Sequence, residues 1–280
     1  MAAKLTTLTR RCHFSSGHAY RVEGLSEEEN RKLFGKLFVP AGLGHNFVLE
    51  VTVAGELAEE TGMICDLGDI DLAMKQVSDP FDHHFINHDI PEFAETVPTP
   101  ETLSVHFFKA LRPLLLEKGT HIKRVRVYEG EDVWGDHTAS LNEDEALITR
   151  KISISCLHRH HNPDLSPEEN EKLYYKCSRM HGHEYKLEVT LKGKIDPQSG
   201  MVFPRPELEE ILEEKIVKVF HGSYLNEHVG NTSGEIILQF FENQLKNEFA
   251  QDAFYGLRLR ETRKNHFTTP RLVQRIGESL

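Results

Sequence analysis

Cys177-Ser-Arg-Met-His181-Gly-His183 concentrates more reactive side chains than any other stretch of this 280-residue sequence. His181 and His183 are two apart at the entry to a strand, so both side chains leave the same face. That spacing suits two imidazoles on one metal ion. His158, on a neighbouring strand, can supply a third. Three histidines leave the fourth position of a zinc ion open, which is the catalytic rather than the structural arrangement. Cys12, Cys65 and Cys156 lie among apolar neighbours and read as core thiols. His160 and His161 extend the His-rich run, but register favours His158.

The elements that must carry these residues occur twice. LSEEENRKLFGK (Leu25–Lys36) answers LSPEENEKLYYK (Leu165–Lys176), and GMICDLGDIDLAM from Gly62 answers GMVFPRPELEEIL from Gly200. His18 and His158, like Gly62 and Gly200, stand about 140 positions apart. In each copy a strand carries the first histidine (Leu8–His18; Lys151–His158). A capped helical turn follows, with Ser26 and Glu29, or Ser166 and Glu169, fitting the capping box. Next come an alternating strand, two helices marked by Ile70, Met74, Leu103, Phe107 and their counterparts, and a closing strand (Ile122–Tyr128; Tyr255–Arg260). The pattern is an α+β unit with helices on one face of an antiparallel sheet. A polar stretch, Ser140–Ala146, reads as the linker, giving domains at 1–144 and 145–280.

Composition narrows the function. The formal charge of −11 argues against nucleic-acid or anionic-membrane binding. No apolar run reaches the roughly 20 residues a membrane helix needs. Met1–Arg11 has basic residues but no apolar stretch behind them, so no secretory signal is expected. Four scattered cysteines imply a reducing, cytoplasmic setting.

FSSGH (Phe14–His18), KCSRMHGHEY (Lys176–Tyr185), FDHHFIN (Phe81–Asn87) and YE (Tyr128–Glu129), in their repeat order, resemble the 6-pyruvoyl-tetrahydropterin synthase family, which includes the 6-carboxytetrahydropterin synthases. The resemblance spans nearly the whole chain, twice. It implies tandem tunnelling-fold (ββααββ) units that assemble into a barrel. It also implies Zn2+ held by His158, His181 and His183, a proton-abstracting Cys177, an assisting Asp82–His83 pair, and a glutamate that holds the pterin ring. Glu129 and Glu261, at the strand ends, are the first candidates for that glutamate. A carboxylate suits the two parallel N–H groups of an amino-pyrimidine edge. Glu101, in TPET, ranks lower, because it reads equally as a charge favoured at a helix N-terminus.

The copies depart from the family pattern in opposite ways. In the first, Leu37 and Leu43 replace the cysteine and one zinc histidine, and only His18 and His45 remain. In the second, His221 and Gly222 replace the Asp-His pair. Complementary loss points to one composite site, from one chain or two. The resemblance implies a lyase that converts 7,8-dihydroneopterin triphosphate to 6-pyruvoyl-tetrahydropterin with loss of triphosphate. It leaves open 6-carboxytetrahydropterin synthase of the queuosine pathway and a non-catalytic pterin-binding protein. Family particles of six units imply a homotrimer of this two-unit chain.

Overall fold

The structure is a computed structural model that describes residues 5–250 and 252–272; the outer bounds of the two expected domains, 1 and 280, lie outside the described residues. The chain forms two compact units. Of the described residues, the first comprises 5–149 together with Leu191–Pro206, and the second comprises Arg150–Thr190 together with 207–250 and 252–272. A short stretch of the second sequence copy therefore packs with the first unit. No helix among the described residues is long and apolar enough to cross a membrane.

In the first unit the elements are β1 (Thr6–His18), α1 (Glu27–Phe34), β2 (Leu43–Gly55), α2 (Leu67–Ser78), α3 (Ile86–Asp89), α4 (Pro100–Leu116), β3 (His121–Tyr128) and β4 (Val133–Thr138). The strands run antiparallel in the order β1-β2-β3-β4. Alternation along β2 turns Phe47, Leu49, Val51 and Val53 to one face, where they meet Ile70 and Met74 of α2 and Leu103, Phe107 and Leu111 of α4. Phe14 stacks on Phe47 with ring centroids 5.1 Å apart. Truncating a ring as buried as Phe107 costs about 3–5 kcal/mol. The other face is charged: Arg11 and Arg124 each donate to Glu50 at 2.6 Å, and Arg126 grips Asp136 through two bonds of 2.8 and 3.0 Å.

The second unit repeats the plan. It holds β5 (Glu145–His158), α5 (Pro167–Tyr174), β6 (His181–Lys194), α6 (Arg205–Leu212), α7 (Lys218–Phe220), α8 (Gly234–Leu245), β7 (Phe254–Arg260) and β8 (His266–Thr268), with the ends of β5, β6 and α6 reaching into the first unit's residues. Strand order is β5-β6-β7-β8. Both expected capping boxes form, at Ser26–Glu29 and Ser166–Glu169. The expected linker is tighter than its sequence suggests. Glu145 accepts the Asn142 N–H at 3.0 Å and so lets β5 begin at Glu145. The second copy also has one more residue than the first between Gly200 and His221. It is absorbed by a π-helical turn, Glu213–Val217, that joins α6 to α7.

Candidate active site and metal centre

In the second unit three imidazoles converge. His158 ends β5, and His181 and His183 alternate along the start of β6. Their ring centroids are 4.4, 5.1 and 5.2 Å apart, and one ligand nitrogen from each lies within 4.8 Å of the others. Backbone carbonyls hold the second nitrogen of two of these rings, Thr232 O at 3.2 Å from His158 Nδ1 and Arg179 O at 2.7 Å from His181 Nδ1. Nε2 of His158 is buried without a hydrogen-bond partner. Burial, then the two neighbouring histidines, push the His158 imidazolium down to about 4, so the ring is neutral and offers a lone pair.

Cys177 lies half-buried in the turn Tyr175–Ser178 that leads into β6. Its carbonyl accepts the His160 N–H at 2.7 Å, which ties this turn to the end of β5. Tyr175 is held at φ 50, where the first copy has Gly35 at φ 56. A tyrosine in that region is strained, and such strain gathers at functional sites. Glu261 follows β7, with Oε1 3.8 Å from His158 Nε2 and 3.9 Å from His183 Nε2. The Tyr185 hydroxyl at 3.5 Å and the Asn265 amide at 2.9 Å donate to its carboxylate. The expected metal histidines, Cys177 and Glu261 thus all belong to this unit.

The first unit holds a different cluster. Leu43 pairs with His18 across β1 and β2, at the position where β6 carries His181. His18 is fully buried, with Nδ1 2.9 Å from Pro98 O. Its Nε2 lies 3.1 Å from Glu129 Oε1 without hydrogen-bond geometry, and His45 Nε2 lies 3.8 Å from the same oxygen. The Tyr20 hydroxyl donates to Glu129 Oε1 at 2.7 Å, and Arg205 Nη1 pairs with Oε2 and with Tyr20. Burial pushes the Glu129 carboxyl up, but Arg205 and His18 outweigh it and hold the group well below the usual carboxylate range. Glu101 is also buried here. Thr99 caps α4 with Pro100 at the first helical position, and Gly135 of β4 lets the helix start approach so closely that a Cβ would stand 2.3 Å from the Pro100 backbone. Glu101 Oε1 accepts the Val202 N–H at 3.2 Å, and burial raises its carboxyl to about 7.

Asp82 and His83 form their pair in the first unit, with Asp82 Oδ2 2.9 Å from His83 Nδ1 and both side chains solvent-accessible. Ser15 N–H donates to Asp82 Oδ1 at 2.8 Å and helps to hold its acid low. His83 has φ 60 and Gly222, its counterpart, φ 78; their N–H groups bond Ser15 O and Ser155 O at 2.7 Å each. The turn is the same in both units, and in the first a histidine accepts a conformation that favours glycine.

A family model described as 6-pyruvoyl tetrahydropterin synthase matches the chain twice, over residues 7–139 and 147–271. The chain belongs to this family. A relative from Homo sapiens, named 6-pyruvoyl tetrahydrobiopterin synthase, is 39% identical over 126 residues, 45% of this chain and 86% of its own. One from Archaeoglobus fulgidus, named putative 6-carboxy-5,6,7,8-tetrahydropterin synthase, is 37% identical over 93 residues, 33% of this chain and 72% of its own. A solved Caenorhabditis elegans 6-pyruvoyl tetrahydropterin synthase covers 49% of this chain and 98% of its own, at 30% identity and a TM-score of 0.47. Two matches to one family model along a single chain fit a tandem duplication.

Two residues of the first cluster escaped the sequence reading, Tyr20 and Arg205. The repeat register carried a signal for the second, because GMVFPR places Arg205 opposite Leu67 of GMICDL.

Proposed function

We propose that the chain converts 7,8-dihydroneopterin triphosphate to 6-pyruvoyl-tetrahydropterin with loss of triphosphate, at a zinc-loaded site in the second unit that Asp82 and His83 complete. The observation that carries this reading is the convergence of His158, His181 and His183, with the buried Nε2 of His158 left free. Carbonyls on Nδ1 of His158 and His181 orient the rings for ligation through Nε2. The human relative's name supports the pterin substrate.

His158, His181 and His183 would hold the zinc ion, which would supply a Lewis acid able to stabilise negative charge developing on the substrate's reacting carbon. The chain's own groups do the rest. Cys177 accepts the C–H proton, the electron pair left on carbon forms a C=C bond, and the C–O bond to triphosphate breaks with its pair going to the leaving group. Return of protons to the ring and side chain then makes the change an internal redox, the side chain oxidised as the ring is reduced, with no outside reductant. Asp82 fixes His83 through Nδ1, leaving Nε2 to exchange protons. Glu261 accepts the N–H groups of the amino-pyrimidine edge, with Glu129 and Glu101 as the first unit's candidates for that part. Zinc, the triphosphate substrate and each of these roles belong to the proposal, as does a cytoplasmic location, which the free thiols support.

A trimer completes the reading. In the first unit Met201 is buried with Tyr20, Phe34, Phe38 and Val97. Its repeat counterpart Met63 is 47% exposed, and Leu67 beside it 43%. The second unit in turn exposes Leu173, Tyr175 and Met180, where the first unit packs Leu33 against that same cluster. A second chain's Met63–Leu67 segment would cover this surface head to tail, and head-to-tail contacts whose rotation closes at three chains form a ring.

A second reading, 6-carboxytetrahydropterin synthase, is favoured by the Archaeoglobus relative's name. Incubation with the triphosphate and zinc, followed by product identification by mass, decides between them. Tight binding of the substrate without turnover would overturn both and leave a binding protein.

A further inference from the structure

The histidine–glutamate cluster of the first unit has the makings of a metal site. One ligand atom from each of His18, His45 and Glu129 lies within 4.8 Å of the others. His18 is fully buried, its Nδ1 is held by a backbone carbonyl, and its Nε2, without a hydrogen-bond partner, lies 3.1 Å from Glu129 Oε1. His158 in the second unit has the same arrangement. Two imidazoles and a carboxylate are a common donor set for divalent transition metals.

Arg205 stands against that use. Its guanidinium pairs with Glu129 Oε2, donates to the Tyr20 hydroxyl at 2.6 Å, and lies over the Tyr20 ring with its carbon 5.5 Å from the centroid. Tyr20 in turn occupies Glu129 Oε1, the oxygen that faces the histidines. The carboxylate's charge is therefore neutralised from one side and its ligating oxygen is taken from the other. In the second unit Glu261 meets the neutral Asn265 amide instead. The repeat register puts Leu67 at the position of Arg205, so the cation is particular to the second copy, whose segment Leu191–Pro206 belongs to the first unit.

We propose that Arg205 is an internal cation that closes a latent divalent-metal site, His18–His45–Glu129, in the first unit. The arginine holds the carboxylate that a metal would need, and its fixed positive charge repels an incoming ion. This keeps metal out of the unit that has Leu37 where the second has Cys177. The proposal does not depend on the zinc reading of the second unit. Failure of that reading appears as wild-type protein without metal, whatever happens at Arg205.

The test measures metal content of full-length protein after dialysis against micromolar zinc, with cobalt absorption spectra to report coordination. His181→Ala removes the second unit's contribution, and this variant is expected to hold no metal. His181→Ala with Arg205→Met is expected to gain about one ion per chain, and to lose it again when His18→Ala is added. Arg205→Gln, which keeps a donor without the charge, gives the same comparison if the methionine variant does not fold. Metal that His181→Ala retains and His18→Ala then removes would show the site already open and overturn the proposal. A folded Arg205 variant with no gain would overturn it as well. Failure of both Arg205 variants to fold would assign the residue to stability alone.

Discussion

Replacing Glu101 by glutamine should make the protein more resistant to unfolding above neutral pH and change little below pH 5. The carboxyl is 2% exposed and its folded value is raised from 4.5 to about 7. Burial is the main cause, with the Val202 N–H and Arg205 opposing it. A carboxyl raised on folding favours the folded state while it is protonated. That advantage is complete below about 4.5 and is lost as pH rises through about 7. The interval corresponds to about 3 kcal/mol of stability at about 1.4 kcal/mol per pH unit. Glutamine keeps the shape and the acceptor for Val202 but has nothing to ionise. Urea unfolding at fixed protein concentration, from pH 4 to pH 9, reads the difference directly. Wild-type stability should fall between about pH 4.5 and 7 and level off above, and the Glu101→Gln protein should lack that part of the fall. Parallel profiles for the two proteins would refute the assignment of the titration to Glu101.

His83→Gly should stabilise the first unit by about 1 kcal/mol, since the backbone at φ 60 costs a non-glycine residue about 1–2 kcal/mol and glycine returns part of that in chain entropy. Thermal unfolding would show it, and a destabilised variant would mean the turn is not strained. Turnover should be lost in the same variant. Light scattering at micromolar concentration should report a trimer for wild type and smaller species for Met63→Asp or Leu67→Asp, both of which place charge on exposed apolar positions. Trimers that survive both substitutions would remove this segment from the interface.

The periodic parts of the fold were legible in the sequence. The capping boxes at Ser26 and Ser166 are local devices, with both partners three residues apart. His181 and His183 share a face because a strand alternates, and His158 follows from the repeat. What was not legible depends on packing between segments far apart in the chain. Arg205 reads as one arginine before a proline, and only the docking of Leu191–Pro206 with the first unit brings it to Glu129. Glu101 looks like any acidic residue in a first helical turn until Gly135 draws α4 against β4 and buries it. The π-helical turn at Glu213–Val217 shows in sequence only as a one-residue slip of register, which does not say where the extra residue goes.

The composite site is tested most directly by assaying triphosphate release in Cys177→Ala and Asp82→Ala proteins, alone and after mixing under conditions of subunit exchange. Groups that act as a unit lose most of the rate when any one is removed, so each variant alone should be inactive although the two residues stand in different units. A site shared between chains would regain activity on mixing, because some pockets would then receive an intact Cys177 and an intact Asp82; a site within one chain would not. Full activity in Asp82→Ala beside an inactive Cys177→Ala would contradict the account and leave the second unit working alone.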